Sequence, residues 1–150
     1  MEFESGRRAV AVKNITQAED CLTHHFPDFP IFPASLMIEG MAQTAGILVG
    51  EAREFRENVI LAKIRVADFE DFAVPGDQVS YEAHLDSLDE RGGITSGIVH
   101  KGDREIGRVD LIFSHVGSSA SSRGLPEHNF VFTEQFLALL DAFRRNKEGA

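Results

Sequence analysis

Val79, Tyr81, Ala83 and Leu85 alternate with Ser80, Glu82, His84 and Asp86. This two-residue period puts apolar side chains on one face and predicts a half-buried strand. Residues 9–16, Ala-Val-Ala-Val-Lys-Asn-Ile-Thr, are short and rich in β-formers, and 59–68 is apolar and β-branched. Both predict strands. Residues 94–100 and 106–116 flank Lys101-Gly102-Asp103-Arg104, a hairpin signal. Val74-Pro75-Gly76-Asp77 carries Pro and Gly in turn order.

The periodicity changes between about Pro33 or Ser35 and Phe55. Leu36, Met37, Met41, Ala45, Ile47 and Leu48 wrap most of a helix, and charges appear only at Glu39 and from Glu51 onward. A helix that is apolar nearly all round is a buried one. Glu39 is then the anomaly, a carboxylate in its first turns.

Ahead of this helix runs His24-His25-Phe26-Pro27-Asp28-Phe29-Pro30-Ile31-Phe32-Pro33. Each proline fixes its own φ and pushes the preceding phenylalanine out of the helical region, which predicts a stiff, extended loop. Three such phenylalanines call for a core or a partner chain to pack on. At the other end, Ser and Gly dominate 117–124, a flexible connector, and 133–145 carries Phe136, Leu137, Leu139, Leu140 and Phe143 at helical spacing. Residues 1–116 are therefore expected to form one domain. Residues 117–150 are expected to be a linker and an amphipathic helix packed on that domain, although an apolar face of this kind suits the sheet or a partner.

The order is strand, loop, one buried helix, then several antiparallel strands. An α+β architecture with a curved antiparallel sheet wrapped around one helix satisfies it. A doubly wound α/β fold does not, because helices fail to alternate with strands.

Composition narrows the function classes. At 150 residues and 43% apolar the chain suits one domain with a real core. A net charge of -9 argues against nucleic acid as a partner, since that binding rests on phosphate neutralisation by Lys and Arg. No run approaches a membrane span, the start lacks the apolar core of a signal peptide, and Cys21 stands alone. These features predict a soluble cytoplasmic protein.

His25 and Glu39 are the candidate chemistry. Histidine takes or gives a proton near neutral pH, and a carboxyl group in an apolar setting is favoured in its neutral form. Such a pair suits removal of a proton beside a carbonyl with loss of a hydroxyl from the next carbon. The bland alternative stays open on residue types alone: a loop histidine bonded to backbone, and a glutamate offsetting the helix dipole. His24-His25 lacks further metal ligands at a familiar spacing. Cys21 reads as ordinary packing, the remaining histidines as surface or hydrogen-bonded residues, and Gly92-Gly93 as a turn.

The run from His24 to Gly46, with its His-Phe-Pro start, its repeated prolines and Leu36-Met-Ile-Glu39-Gly-Met-Ala-Gln43, resembles the signature of the bacterial 3-hydroxyacyl-acyl carrier protein dehydratases. That signature reads roughly G-H-F-P-x-x-P-x-x-P-G-x-L-x-x-E-A-M-A-Q. Residues 11–15 and 74–77 look like further landmarks, so the resemblance spans about 8–116. It implies the hot-dog fold, no cofactor and no metal. It also implies an acyl carrier protein or coenzyme A thioester as substrate, and a homo-oligomer with active sites at the dimer interface. His25 would take the α-proton, Glu39 would assist loss of the 3-hydroxyl as water, and the backbone N–H of Ala34 would polarise the thioester carbonyl. Gln43 would orient Glu39, and Phe32 would belong to the substrate site. Phe69 and Phe72, just before the 74–77 turn, suit either the lining of that acyl site or core packing. Ala34, His24 and Asp28 stand where the family commonly has glycine. A thioesterase on the same fold, and a non-catalytic acyl-binding or assembly module, are the rival expectations.

Overall fold

The computed structural model describes residues 2–116 and 128–148. Six strands form one antiparallel sheet: β1 (Glu2–Glu4), β2 (Arg8–Asn14), β3 (Asn58–Phe69), β4 (Gln78–Leu88), β5 (Gly92–Lys101) and β6 (Arg104–Val116). Their order across the sheet is β1-β2-β4-β5-β6-β3. Helix α1 (Ala34–Glu51) packs against β2, β3, β4, β5 and β6, so the sheet curves around it. This is the α+β arrangement that the element order predicts, and it agrees with the hot-dog fold that the resemblance implies. A 3-10 turn (Asp20–Thr23) precedes the Phe-Pro loop, and α2 (Glu134–Glu148) follows the sheet.

The core lies between α1 and the concave face. Met37, Met41, Ala45 and Leu48 of the helix are almost fully enclosed, and they meet the inward members of the alternating strands, among them Val79, Tyr81, Ala83 and Val99. The two-residue period is thus read out directly as burial. β1 is absent from the expectation because only Phe3 in it is apolar; Arg8, bonded to Glu2, helps hold it against β2. Gly92 and Gly93, expected in a turn, open β5 instead.

Two features of the helix region differ from the expectation. First, α1 is not buried all round: Leu36 is 37% exposed, and Glu39 and Gln43 on the same stripe are also exposed. Single-chain packing covers only one side of the helix, and its hydrophobic content leaves an open stripe on the other. Second, α1 ends at Glu51 rather than near Phe55, because Glu54 and Phe55 adopt φ of 56° and 54°. The Phe55 N–H returns to the Gly50 carbonyl at 2.8 Å, and its ring meets Phe132 at 4.8 Å between centroids. Left-handed backbone at two non-glycine residues costs about 1–2 kcal/mol each, and the aromatic contact, worth about 0.5–1.5 kcal/mol beyond its area, offsets part of it.

The Phe-Pro loop is also less extended than expected. Phe26 and Phe29 exchange backbone hydrogen bonds, at 3.2 and 3.0 Å, which closes a tight turn over Pro27 and Asp28. Of its three phenylalanines only Phe32 enters the core; Phe26 and Phe29 stay about half exposed. Pro restricts φ but is compatible with a turn, so the repeat alone does not force extension. The serine-rich connector lies outside the described residues. Phe132, Phe136 and Leu137 pack on the core near the end of the chain.

Candidate active site

His25 follows the 3-10 turn, whose Leu22 is buried and anchors it. The loop then folds back, so that the Ile31 N–H bonds the His25 carbonyl at 2.9 Å and His25 Nδ1 meets the Ile31 carbonyl at 3.1 Å. A carbonyl only accepts, so Nδ1 carries the hydrogen and Nε2 of the neutral ring is left as the proton acceptor. Phe26 stacks on the imidazole at 4.4 Å. The Phe32 N–H, bonded to the Ala73 carbonyl at 2.7 Å, ties the loop to the segment before β4. His25 therefore sits in a frame of main-chain bonds.

The ring opens on a cleft of about 490 Å³, and Phe32, Ala34, Phe69 and Phe72 line it with His25. Five of the residues singled out from sequence thus share one cavity. Phe72 is braced by Phe29 at 5.4 Å and by Lys101, which donates to its carbonyl at 2.9 Å. Ala34 is the first residue of α1, behind Pro33, which provides no side-chain cap. The Leu36 N–H already bonds the Pro33 carbonyl at 2.9 Å, which leaves the Ala34 and Ser35 N–H groups ahead of the first helical acceptor, at the positive end of the helix dipole. They are ready donors to an oxyanion. Among non-glycine described residues only Glu54 and Phe55 have positive φ, so alanine at position 34 is unstrained.

Glu39 and Gln43 are one helical turn apart, and Gln43 Nε2 donates to Glu39 Oε1 at 2.9 Å. Contrary to the expectation of a carboxylate in a buried helix, both are exposed in the single chain. They line a second cavity, an apolar groove of about 380 Å³ that does not include His25. One chain therefore presents His25 and Glu39 on different clefts. Gly40, where the dehydratase signature has alanine, makes room for a tyrosine: a Cβ there would lie 2.4 Å from the Tyr81 ring. The Tyr81 hydroxyl is enclosed without a partner among the described residues, and burial, helped by the charge of Glu19, pushes its pKa up to about 12.

Sequence reasoning missed the far wall of the Glu39 groove, which Val131, Phe132 and Phe136 provide. The helical spacing after Thr133 announced an apolar face but nothing about where it lands. Among the remaining histidines, His84 bonds Glu82 at 2.9 Å, whereas the His115 ring is enclosed, 3.5 Å from Glu57. Among the described residues no group of three or more His, Cys, Asp or Glu side chains is placed to hold a metal ion. Nor is any described helix long and apolar enough to cross a membrane.

Known proteins bear on both the family and the fold. A family model described as the FabA-like domain matches residues 1–108. The 3-hydroxyacyl-[acyl-carrier-protein] dehydratase FabZ of Caldanaerobacter subterraneus subsp. tengcongensis is 37% identical over 116 residues, covering 75% of this chain and 81% of that one. The protein of the same name from Symbiobacterium thermophilum is 35% identical over 120 residues, covering 79% and 84%. Among solved structures, the dehydratase heterocomplex ApeI:P from Xenorhabdus doucetiae superposes with a TM-score of 0.61 at 16% identity, covering 75% of this chain and 92% of that one. Protein smu.793 from Streptococcus mutans UA159, bound to acetyl CoA, gives 0.64 at 10%, covering 78% and 86%. At these identities the structural likenesses speak for the fold.

Proposed function

This chain belongs to the FabA-like domain family, and from that premise we propose that it dehydrates (3R)-3-hydroxyacyl thioesters to trans-2-enoyl thioesters in acyl-chain biosynthesis, with His25 as base and Glu39 as acid. His25 Nε2 takes a proton from C2 of the acyl chain. The C3–O bond breaks as Glu39 delivers its proton to the departing hydroxyl, and water leaves. The Ala34 N–H holds the thioester carbonyl oxygen, where negative charge gathers as C2 loses its proton. A donor so placed is worth about 2.7–4 kcal/mol in the transition state. Gln43 orients the Glu39 carboxyl group through its hydrogen bond.

The observation that carries this reading is the His25 Nδ1 bond to the Ile31 carbonyl, which holds the ring in the cleft that also contains the N-terminus of α1. Because His25 and Glu39 line different cavities of one chain, the working site joins His25 of one copy with Glu39 of a second. The open stripe of α1, with Leu36 beside Glu39 and Gln43, supports that pairing. The acyl group is carried by acyl carrier protein or coenzyme A, and the setting is the cytoplasm.

The test is hydration of crotonyl-coenzyme A and of the matching acyl-carrier-protein thioester, followed by loss of enoyl-thioester absorbance. His25→Ala and Glu39→Gln are each expected to lower the rate about 10²–10⁴-fold. Variants that keep full activity on both carriers would overturn the assignment.

A further inference from the structure

The chain continues beyond the matched domain, and residues 128–148 are built into the molecule. Asn58, buried at the start of β3, accepts the N–H groups of Phe130 and Val131 on its Oδ1 at 2.9 and 3.2 Å. Asn129 reaches back with Nδ2 to the Phe55 carbonyl at 3.0 Å, and its Oδ1 accepts the Phe132 N–H at 2.8 Å. Phe132 is 5% exposed and lies against Gly50, where a Cβ would come within 2.5 Å of its ring. Phe136 packs on Phe132 at 5.7 Å. This amounts to a two-asparagine clasp holding an aromatic pair in a fixed place.

That place is the groove that begins at Glu39. Val131, Phe132 and Phe136 form one wall; Leu61 and Phe113, from the sheet, face it. The proposed dehydration fixes the geometry of the substrate. The thioester carbonyl belongs at Ala34, C2 at His25 and the C3 hydroxyl at Glu39. The carbons beyond C3 must then leave from Glu39, away from the carrier arm. An apolar groove of about 380 Å³ starting at that carboxylate falls in the size range of small-molecule sites.

We propose that residues 131–136 are the acyl-length gauge of this enzyme: the Val131, Phe132 and Phe136 side chains wall the alkyl tail of the substrate and set how long a chain it accepts. The proposal rests on the dehydratase reading for which end of the substrate meets Glu39. Residues of the FabA-like domain perform the chemistry, and the C-terminal segment sizes the tail.

The experiment uses the full chain with Phe136→Ala, which enlarges the groove, and Val131→Trp, which fills it from an exposed position. Hydration of crotonyl, octenoyl and hexadecenoyl thioesters, each on coenzyme A and on acyl carrier protein, is measured alongside calorimetric binding, on the same two carriers, of butyryl, octanoyl and palmitoyl thioesters, which contain no double bond to hydrate. Phe136→Ala is expected to raise the long-to-short ratio of kcat/KM by about tenfold, the low end of what a hydrophobic pocket extracts from a methylene, and Val131→Trp to lower the octenoyl-to-crotonyl ratio comparably. Binding ratios should follow in the same directions. If Phe136→Ala fails to fold, Val131→Trp carries the test. Hydration with unmoved ratios overturns the gauge and leaves the dehydratase standing. Absent hydration with shifted binding ratios overturns the dehydratase and keeps the gauge. Absence of both hydration and binding overturns the two together.

Discussion

The His25 cleft and the Glu39 groove lie along the same helix, the first at its N-terminus and the second on its open stripe, yet they are built from different materials. Main-chain bonds hold the cleft: Ile31 to His25, Phe32 to Ala73, and the imidazole itself to a carbonyl. Side chains drawn from distant parts of the sequence make the groove, with Glu39 and Gln43 facing β3, β6 and residues 131–136. A backbone frame is largely indifferent to the side chains hung on it. His24, Asp28 and Ala34, at positions where the dehydratase signature commonly has glycine, have no positive φ among them. A side-chain groove has no such tolerance, because each residue in it is also a surface that the ligand meets.

The sharpest way to break this contrast is to ask whether the two sites are ever one. Mixed by co-refolding, the inactive His25→Ala and Glu39→Gln proteins are expected to regain activity. A hybrid dimer would contain one site with both intact residues and one with neither. Random pairing then gives about a quarter of wild-type activity, against losses of about 10²–10⁴-fold in either parent. Recovery on that scale joins the cleft of one copy to the groove of another. A mixture as inactive as its parents would mean that each chain uses only its own residues.

Next in size is a stability difference. Asn58→Ala removes the acceptor of two backbone N–H groups in a buried setting, which costs about 1–3 kcal/mol. The loss should be local as well as global. Amides of α2 are expected to exchange faster, while the Ile31 and Phe32 amides of the His25 loop keep their protection after correction for the change in global stability. Equal acceleration at both places would show that cleft and groove share one cooperative frame, and the contrast between them would fail.

The same contrast explains what the sequence makes visible. The Phe-Pro run and the helix start are consecutive residues, so their spacing alone brings His25, Phe32 and Ala34 together, and Phe69 and Phe72 stand just before the 74–77 turn, whose neighbour Ala73 is tied to the loop. Strand alternation from Val79 to Leu85 likewise needs no knowledge of neighbours. Glu39 was found as the odd charge in an apolar helix, but its exposure was not, since periodicity reports hydrophobicity and cannot say which apolar face the chain itself covers. The tight turn at Phe26–Phe29 and the early end of α1 escaped for a related reason: each depends on a partner group, a carbonyl three residues on or the Phe132 ring, that no local pattern encodes. The wall at 131–136 was the least legible of all, because an amphipathic repeat announces a buried face without naming the surface that buries it.

The smallest effect tests whether stability can be changed without touching either region. On β2 and β4, Arg8 Nε bonds Glu82 Oε1 at 2.8 Å, outside the residues that line the cleft and the groove. The Arg8 guanidinium, with His84 assisting, holds the Glu82 carboxyl group below the usual carboxylate range. A carboxylate whose pKa is lower in the folded chain than in the unfolded one contributes stability that is present above its ordinary pKa and is lost as pH falls through the folded value. Glu82→Gln should therefore be less stable than wild type at neutral pH, and the two should converge in acid. The pair is partly exposed, so the neutral-pH difference should be at most about 1 kcal/mol, a fall in Tm of about 2–4 °C. Hydration rates at neutral pH should not change. A loss of activity in Glu82→Gln would show that the outer sheet positions one of the two sites, and the backbone frame around His25, which the Ala73 carbonyl ties to the segment entering β4, is where that coupling would enter.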